Sequence, residues 1–264
     1  MAGELLARVY EGRGGRVHYL EGGAGKPLVF LHGAGGVPAH AAFLPALAQR
    51  FRVLAPSMPG FDDSPLGSCK SVQDLAGAVA GFVEAVAEPP MALVGESFGG
   101  WVACWLAVLH PGLVDRLVLA APAAFRTGFV EPATPLTPEE LALRLFGRLP
   151  DAPPSPEQRA RQQQNAATAR RLMHAAGGYD HALAERLPEI AAPTLVLFGT
   201  RDEIVPPENG RVYQERIPRS HLMLLHDAVH SLPIAAEDRF VALTTEFVER
   251  GEEFVINRGE QRLV

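Results

Sequence analysis

Ser97, Asp202 and His230 are the residues of this chain best placed to do chemistry together. A serine hydroxyl is a weak nucleophile until a base takes its proton, and histidine is the usual base. A carboxylate can then hold that imidazole in the tautomer that accepts. Ser97 lies in Gly95-Glu96-Ser97-Phe98-Gly99, a G-x-S-x-G pattern between the apolar run Met91–Val94 and an amphipathic stretch from Gly100 to His110. The order reads as strand, abrupt turn, helix. The glycines have a steric reason, since side chains crowd such a strained turn. The helix behind Ser97 points its first N–H groups to where negative charge would develop. The competing interpretation is a Gly-rich β–α turn that merely exposes a serine.

The partners of Ser97 have rivals. Asp227, three residues before His230, and Glu203, next to Asp202, are alternative carboxylates. Asp202 is preferred, because a sequence neighbour on a tight loop is badly placed to orient the histidine. His226 is the nearest alternative base, but its place at a strand end suggests a partly buried structural residue. Trp101 and Trp105, one helical turn apart, read as packing.

The elements that must bring these residues together can be taken in order. Leu6–Tyr10 and Arg16–Glu21 alternate and form an opening hairpin through Gly12–Gly15. Apolar strands follow at Leu28–Leu31, Phe51–Ala55, Met91–Val94, Arg116–Ala121, Pro193–Gly199 and His221–Leu225. Helical spacing covers Ala39–Arg50, residues 72–86 after the N-cap Ser71, and Pro233–Arg250. Continuous apolar strands alternating with helices imply a parallel sheet covered on both faces. The fold class is therefore α/β, a doubly wound, mostly parallel sheet of about eight strands. The texture changes after Pro122. Thr137 with Glu140 resembles a capping box for a helix through Leu149. Further helices are expected over Pro156–Ala176 and Tyr179–Leu187. Residues 123–188 are thus expected to form a helical insertion, and 1–122 with 189–264 the core. The tail, Gly251–Val264, could pack or fray.

Apolar strands end just before His32, Ser97 and Asp202, and a fourth closes shortly before His230. In a doubly wound sheet the strand C-termini share one edge, where ligands bind. Four distant polar features therefore converge.

Composition narrows the partners. The chain is 47% hydrophobic and 20% charged, with formal charge −6 and no basic block. Nucleic acid is not an expected partner. No apolar run is long enough to span a bilayer, so no membrane association is expected. The N-terminus carries no apolar signal core, and a cytoplasmic location is the default expectation. Cys69 and Cys104 are not expected to pair, and Cys104 reads as a small core residue. No Cys/His spacing suggests a metal. Nothing in the sequence specifies an oligomeric state.

With these residues in place, the chain resembles an α/β-hydrolase carrying a cap. The matching segments are His32-Gly33-Ala34-Gly35, Pro59-Gly60-Phe61-Asp62-Asp63-Ser64, Gly95–Gly100, Gly199-Thr200-Arg201-Asp202 and Val229-His230. The order Ser, Asp, His is also that family's order. The resemblance implies catalysis by Ser97, Asp202 and His230, with an oxyanion held by the backbone N–H groups of Ala34 and Phe98. It implies no cofactor, and a small-molecule substrate. His32 is a candidate support of the oxyanion turn or substrate contact. Phe125, Phe129, Phe146 and Met173 of the insertion are candidate pocket residues. Asp62, Asp63 and Ser64 are expected to brace a nearby turn. Three departures shape the expected chemistry. Ala228-Val229, not Gly, precede His230. Ser231 follows it, where the family's carbon–carbon bond hydrolases have Trp. The nucleophile is Ser, against dehalogenase or epoxide hydrolase chemistry. The expected activity is serine-dependent hydrolysis of an ester or related acyl bond of a small apolar substrate. The alternatives are a carbon–carbon bond hydrolase, an aminopeptidase-like member, or a ligand-binding protein without turnover.

Overall fold

Strands β1 (Leu5–Gly12) and β2 (Gly15–Gly22) form the expected antiparallel hairpin. They are followed by β3 (Pro27–Leu31), β4 (Arg52–Pro56), β5 (Met91–Glu96), β6 (Val114–Ala120), β7 (Thr194–Gly199) and β8 (Ser220–Leu225). The computed structural model describes residues 4–12, 15–38, 41–129, 134, 136–150, 152–174 and 177–254. The eight strands make one sheet in the order β1-β2-β4-β3-β5-β6-β7-β8, parallel from β4 to β8.

The continuous apolar runs are explained by two cores, one on each face. Side chains along a strand alternate between faces. Leu28 and Phe30, Ala92 and Val94, Val118 and Ala120, and Leu195 and Leu197 enter one cluster. Val29 and Leu31, Leu93, Leu117 and Leu119, and Val196 and Phe198 enter the other. The first cluster is closed by α1 (Phe43–Leu47), α8 (Leu232–Ala235) and α9 (Glu237–Arg250). The second is closed by α2 (Val72–Val86), α3 (Phe98–Leu109) and α7 (Gly210–Arg216). Each fully buried Leu or Phe contributes about 1.5–3 kcal/mol of transfer free energy. A polar residue at any of these strand positions would therefore be costly on either face.

Helix boundaries depart from the sequence reading where backbone chemistry intervenes. Of the helix expected over Ala39–Arg50, of which Ala39 and His40 lie outside the described residues, α1 is what forms, with Pro45, which has no N–H to donate, in its first turn. α4 (Pro138–Phe146) begins at the Thr137 capping box as expected. It stops short of Leu149 because Gly147 takes the left-handed φ of +69°. α5 (Pro156–Met173) and α6 (His181–Arg186) complete the helices between β6 and β7. The C-terminal helix is broken at Ala236 into α8 and α9, with φ −139° and ψ 43°, and no residue type marks the break. α7 was not expected. The stretch Pro132-Ala-Thr-Pro135, read as a pliable boundary, is described only at Thr134, and residues 255–264 of the tail lie outside the described residues. Among the described residues, no helix is long and apolar enough to cross a membrane.

α5 is mostly polar, and it docks through a narrow stripe. Its buried residues are Asn165, Ala169 and Leu172, on one face at helical spacing. Arg161 and Thr168 flank the same stripe and reach Asp63 and the Gly60 carbonyl. The far end of the segment is tied by α6. The Asp180 carboxylate accepts both indole N–H groups, Trp101 at 2.7 Å and Trp105 at 2.8 Å, and the Leu183 N–H that it caps. The tryptophans are packing residues with satisfied polar ends, as expected of buried indoles.

Candidate active site

The parallel strands deliver their C-termini to one edge, and the candidate residues meet there. β5 ends at Glu96, and Ser97 follows with φ 52° and ψ −115°, a strained conformation for a residue with a side chain. The flanking glycines are required by close approach. A Cβ on Gly99 would collide with the Leu31 and His32 carbonyl oxygens, and one on Gly95 would meet the backbone of Gly99 and Gly100. Three backbone bonds hold the turn. The Ser97 N–H donates to the Ala120 carbonyl at 2.8 Å, and the Ser97 carbonyl accepts from Trp101 and Ala123.

His230 lies on the loop after β8, with its Nε2 2.8 Å from the Ser97 Oγ. Its Nδ1 is 2.7 Å from the Asp202 Oδ2. Asp202, on the loop after β7, is buried, and its other oxygen accepts from the Ile204 and Val205 N–H groups at 2.8 and 2.9 Å. A carboxylate so filled keeps its orientation. In the neutral imidazole, Nδ1–H donates to Asp202 and Nε2 accepts from the serine hydroxyl. This chain can take the Ser97 proton as the oxygen attacks and return it to a leaving group.

The rivals stand elsewhere. Asp227 is exposed, with Arg201 4.0 Å away, and Glu203 pairs with Arg144 at the surface. His226 is exposed rather than partly buried.

The two N–H groups expected to receive an oxyanion have no backbone acceptor among the described residues. Phe98 opens α3, so its N–H has no carbonyl one turn earlier in the helix. The Ala34 N–H donates to none of the described residues. The turn that carries it rests against the serine, since a Cβ on Gly33 would sit 3.5 Å from the Ser97 Cβ. His32 braces this turn from inside. Its Nδ1–H donates to the Gly33 carbonyl at 2.7 Å, and its Nε2 accepts the Met58 N–H at 3.0 Å. Burial lowers its pKa, which suits the neutral ring those bonds require. With both nitrogens used and no exposure, His32 is a brace and not a substrate contact.

The cap candidates divide. Phe125 is fully buried, with its ring against Tyr179 and Tyr213 at 4.8 and 4.9 Å, so it packs and does not line a pocket. Met173 is packed against the same core cluster. Phe129 lies under the Arg126 guanidinium at 3.9 Å. Phe146 lines a cleft of about 580 Å³ between α4 and the His230 loop, with Leu143, Val229 and Ile234 as apolar walls and Arg201 and Asp227 also in the lining. Ser97 is not among its walls, and the cleft reaches the site through Val229, the neighbour of His230 in the chain. α4 is fastened there by the Ser231 N–H, which donates to the Leu145 carbonyl at 2.8 Å.

Glu96 and Asn165 were not singled out from the sequence, and Ser231 was noted only as a departure from Trp; all three are buried. The Ser231 hydroxyl donates to the Glu96 carboxyl behind the serine–histidine pair. Burial pushes the Glu96 pKa up from 4.5, against the smaller lowering effects of Ser231 and His230. A raised folded-state pKa means that stability is lost as pH climbs above the ordinary glutamate range. Glu96→Gln is therefore expected to raise the melting temperature more at pH 8 than at pH 5. Paired thermal melts check this, and an increment at pH 8 no larger than at pH 5 would show that Glu96 ionises in the fold at no cost.

Residues 28–243 match the alpha/beta hydrolase family. The chain belongs to that family, and is an enzyme of the hydrolase class. A pimeloyl-acyl-carrier protein methyl ester esterase of Neisseria meningitidis serogroup A is 30% identical over 239 residues, 78% of this chain and 71% of its own length. A 2-hydroxymuconate semialdehyde hydrolase of Pseudomonas sp. strain CF600 is 27% identical, covering 92% of this chain and 93% of its own. Among solved structures, an esterase from Rhodococcus sp. ECU1013 superposes with a TM-score of 0.71 at 25% identity, over 95% of this chain and 99% of its own.

Proposed function

We propose that the protein hydrolyses an ester or related acyl bond of a small, largely apolar molecule through an acyl-enzyme on Ser97. The observation that carries this is the unbroken chain from the Ser97 Oγ through His230 to a buried, fully bonded Asp202. In this reading His230 takes the serine proton, the Ala34 and Phe98 N–H groups receive the oxyanion, and water activated by the same histidine releases the acid. Each oxyanion donor is worth about 2.7–4 kcal/mol where one has been removed from such a site. Residues 123–188 act as the cap, an assignment supported by the attachment of α4 to the His230 loop and of α5 to the Asp62 turn. A cytoplasmic location belongs to the same reading, supported by the free thiols of Cys69 and Cys104.

A second reading is favoured by the likeness to 2-hydroxymuconate semialdehyde hydrolase, namely cleavage of a carbon–carbon bond next to a carbonyl. Ser231 in place of the tryptophan after the histidine speaks against it. A fluorophosphonate probe is expected to label Ser97 stoichiometrically, and short p-nitrophenyl esters are expected to turn over. Turnover of 2-hydroxymuconate semialdehyde with no ester hydrolysis would select the second reading. Neither labelling nor turnover would overturn both.

The cleft beside α4 gives an expectation for specificity, since binding sites are concave and mostly apolar. Phe146→Ala is expected to move the preferred acyl chain length upward across esters from acetate to octanoate, without loss of Ser97 labelling. Met173→Ala, which empties packing instead, is expected to lower stability by about 2–5 kcal/mol or less, in proportion to its partial burial. An unchanged chain-length profile in Phe146→Ala would remove that cleft from the substrate's path.

A further inference from the structure

Asn165 is a fully buried amide in the middle of α5, and its side-chain hydrogen bonds to described residues all leave the helix. Its Oδ1 accepts the Asp62 N–H at 2.8 Å. Its Nδ2 donates to the Gly35 carbonyl and to the Asp62 Oδ1, each at 2.9 Å. The network allows one orientation of the amide, since a flip would face N–H against N–H and oxygen against two oxygens. Asp62 in turn takes the Val37 N–H and the Ser57 hydroxyl on its Oδ2, both at 3.0 Å. The side chain of α5 and the Asp62 carboxyl therefore grip both ends of the segment Gly35–Val37, immediately after Ala34.

Two backbone features agree with a built contact. Asp62 has φ +48°, a conformation costing on the order of 1–3 kcal/mol for a residue with a side chain, and this bond set is what compensates it. Gly36 has φ +92°, and a Cβ there would strike both the Asn165 amide and the Asp62 carboxyl. The chain is shaped to let the amide approach.

We infer that Asn165 is a positioning residue for the oxyanion site: its amide, carried by α5, holds the turn that presents the Ala34 N–H, so acyl transfer depends on that amide being seated against Gly35 and Asp62. The inference rests on the acyl-transfer reading above. His32 holds the same turn from the core side, through Gly33. Asn165 is its counterpart from the cap side, at a sequence distance of 130 residues from Gly35. When α5 lifts, Gly35 and Asp62 lose the amide together, and the donor turn loses its outer wall. Misplacing a catalytic group by about 1 Å costs about 100-fold in rate.

The test compares Asn165→Ala with Thr168→Val. The second variant removes a bond from the same helix to the core, Thr168 Oγ1 to the Gly60 carbonyl at 3.0 Å, without touching the donor turn. Steady-state kinetics on a p-nitrophenyl ester are read beside affinity for a boronic acid, whose tetrahedral adduct on Ser97 needs the oxyanion donors. Asn165→Ala is expected to lose about 10- to 100-fold in kcat and a similar factor in boronic acid affinity, with KM changed less than about threefold. Thr168→Val is expected to stay within about threefold of wild type in all three. If the alanine variant does not fold, Asn165→Asp keeps the shape, removes both donors, and is expected to lose at least as much. Wild-type kcat and boronic acid affinity in a folded Asn165 variant would overturn the inference, as would equal losses in Thr168→Val. A wild-type protein that neither labels nor turns over would instead overturn the underlying acyl-transfer reading, and the inference with it.

Discussion

Ser97→Ala is expected to reduce kcat for ester hydrolysis by about a millionfold, the scale of losing the nucleophile or base from a serine triad, and to abolish fluorophosphonate labelling. The fold should barely register the change. The Oγ makes one hydrogen bond among the described residues, to the His230 Nε2, worth about 1 kcal/mol. For a chain of this size that is about 2–4 °C in melting temperature. Alanine carries the same Cβ as serine, so the φ of +52° is no worse in the variant, and the backbone bonds to Ala120, Trp101 and Ala123 do not involve the side chain. The measurement is kcat and labelling in the purified variant beside a thermal melt. A folded variant that kept more than about one per cent of wild-type kcat would place the chemistry elsewhere, since a positioned base and oxyanion donors alone leave far less.

How much of this was legible follows from what each residue's neighbours are. β3, β5, β6 and β7 were readable because both of their faces are covered, so their central positions are apolar. Ser97 was readable because the elbow's steric demands write glycine on both sides of it. Asp202 and His230 were readable because parallel strands end on one edge, which turns positions in the chain into positions in space. Local backbone chemistry explains three of the helix errors, though not the break at Ala236. Pro45 shortens α1, Gly147 ends α4, and Gly210 at the start of α7 masks a helix whose Tyr213 is fully buried. The polar network is a different case. Asn165 sits in the run Gln162-Gln-Gln-Asn165 of a helix that reads as solvent-facing, and its burial depends on Gly35 and Asp62, more than 100 residues away. Periodicity describes one element at a time and is silent about such partners. Phe125 was assigned to the substrate, and His32 to it as an alternative to bracing the turn, for the related reason that residue type does not reveal what fills the other side of a ring. His32 has both nitrogens occupied within the core, and Phe125 has Tyr179 and Tyr213.

Asp202→Asn and Asp227→Asn are expected to differ by orders of magnitude, although both aspartates lie near His230 in the fold or the sequence. At position 202 the amide would have no choice of orientation. The Ile204 and Val205 N–H groups donate to Oδ1, so the asparagine oxygen would stay there and its NH₂ would face the His230 Nδ1. That nitrogen would then have to accept, which puts the ring's proton on Nε2, pointing at Ser97. An imidazole in that tautomer cannot take the serine proton. The expected loss is about 10⁴-fold in kcat, as for the same exchange in a serine protease triad. The packing should survive, because the side chain keeps its volume and its two backbone bonds. At position 227 the carboxylate is exposed, and it faces His226 at 3.7 Å and Arg201 at 4.0 Å, surface contacts worth about 0–1 kcal/mol. Its φ of +58° is one that asparagine adopts as readily as aspartate, so the backbone is undisturbed. Asp227→Asn is therefore expected to keep kcat within about threefold. Measuring both variants on one ester at one pH separates the two carboxylates, and the reverse ranking would transfer the role of orienting His230 to Asp227 against the geometry of the buried pair.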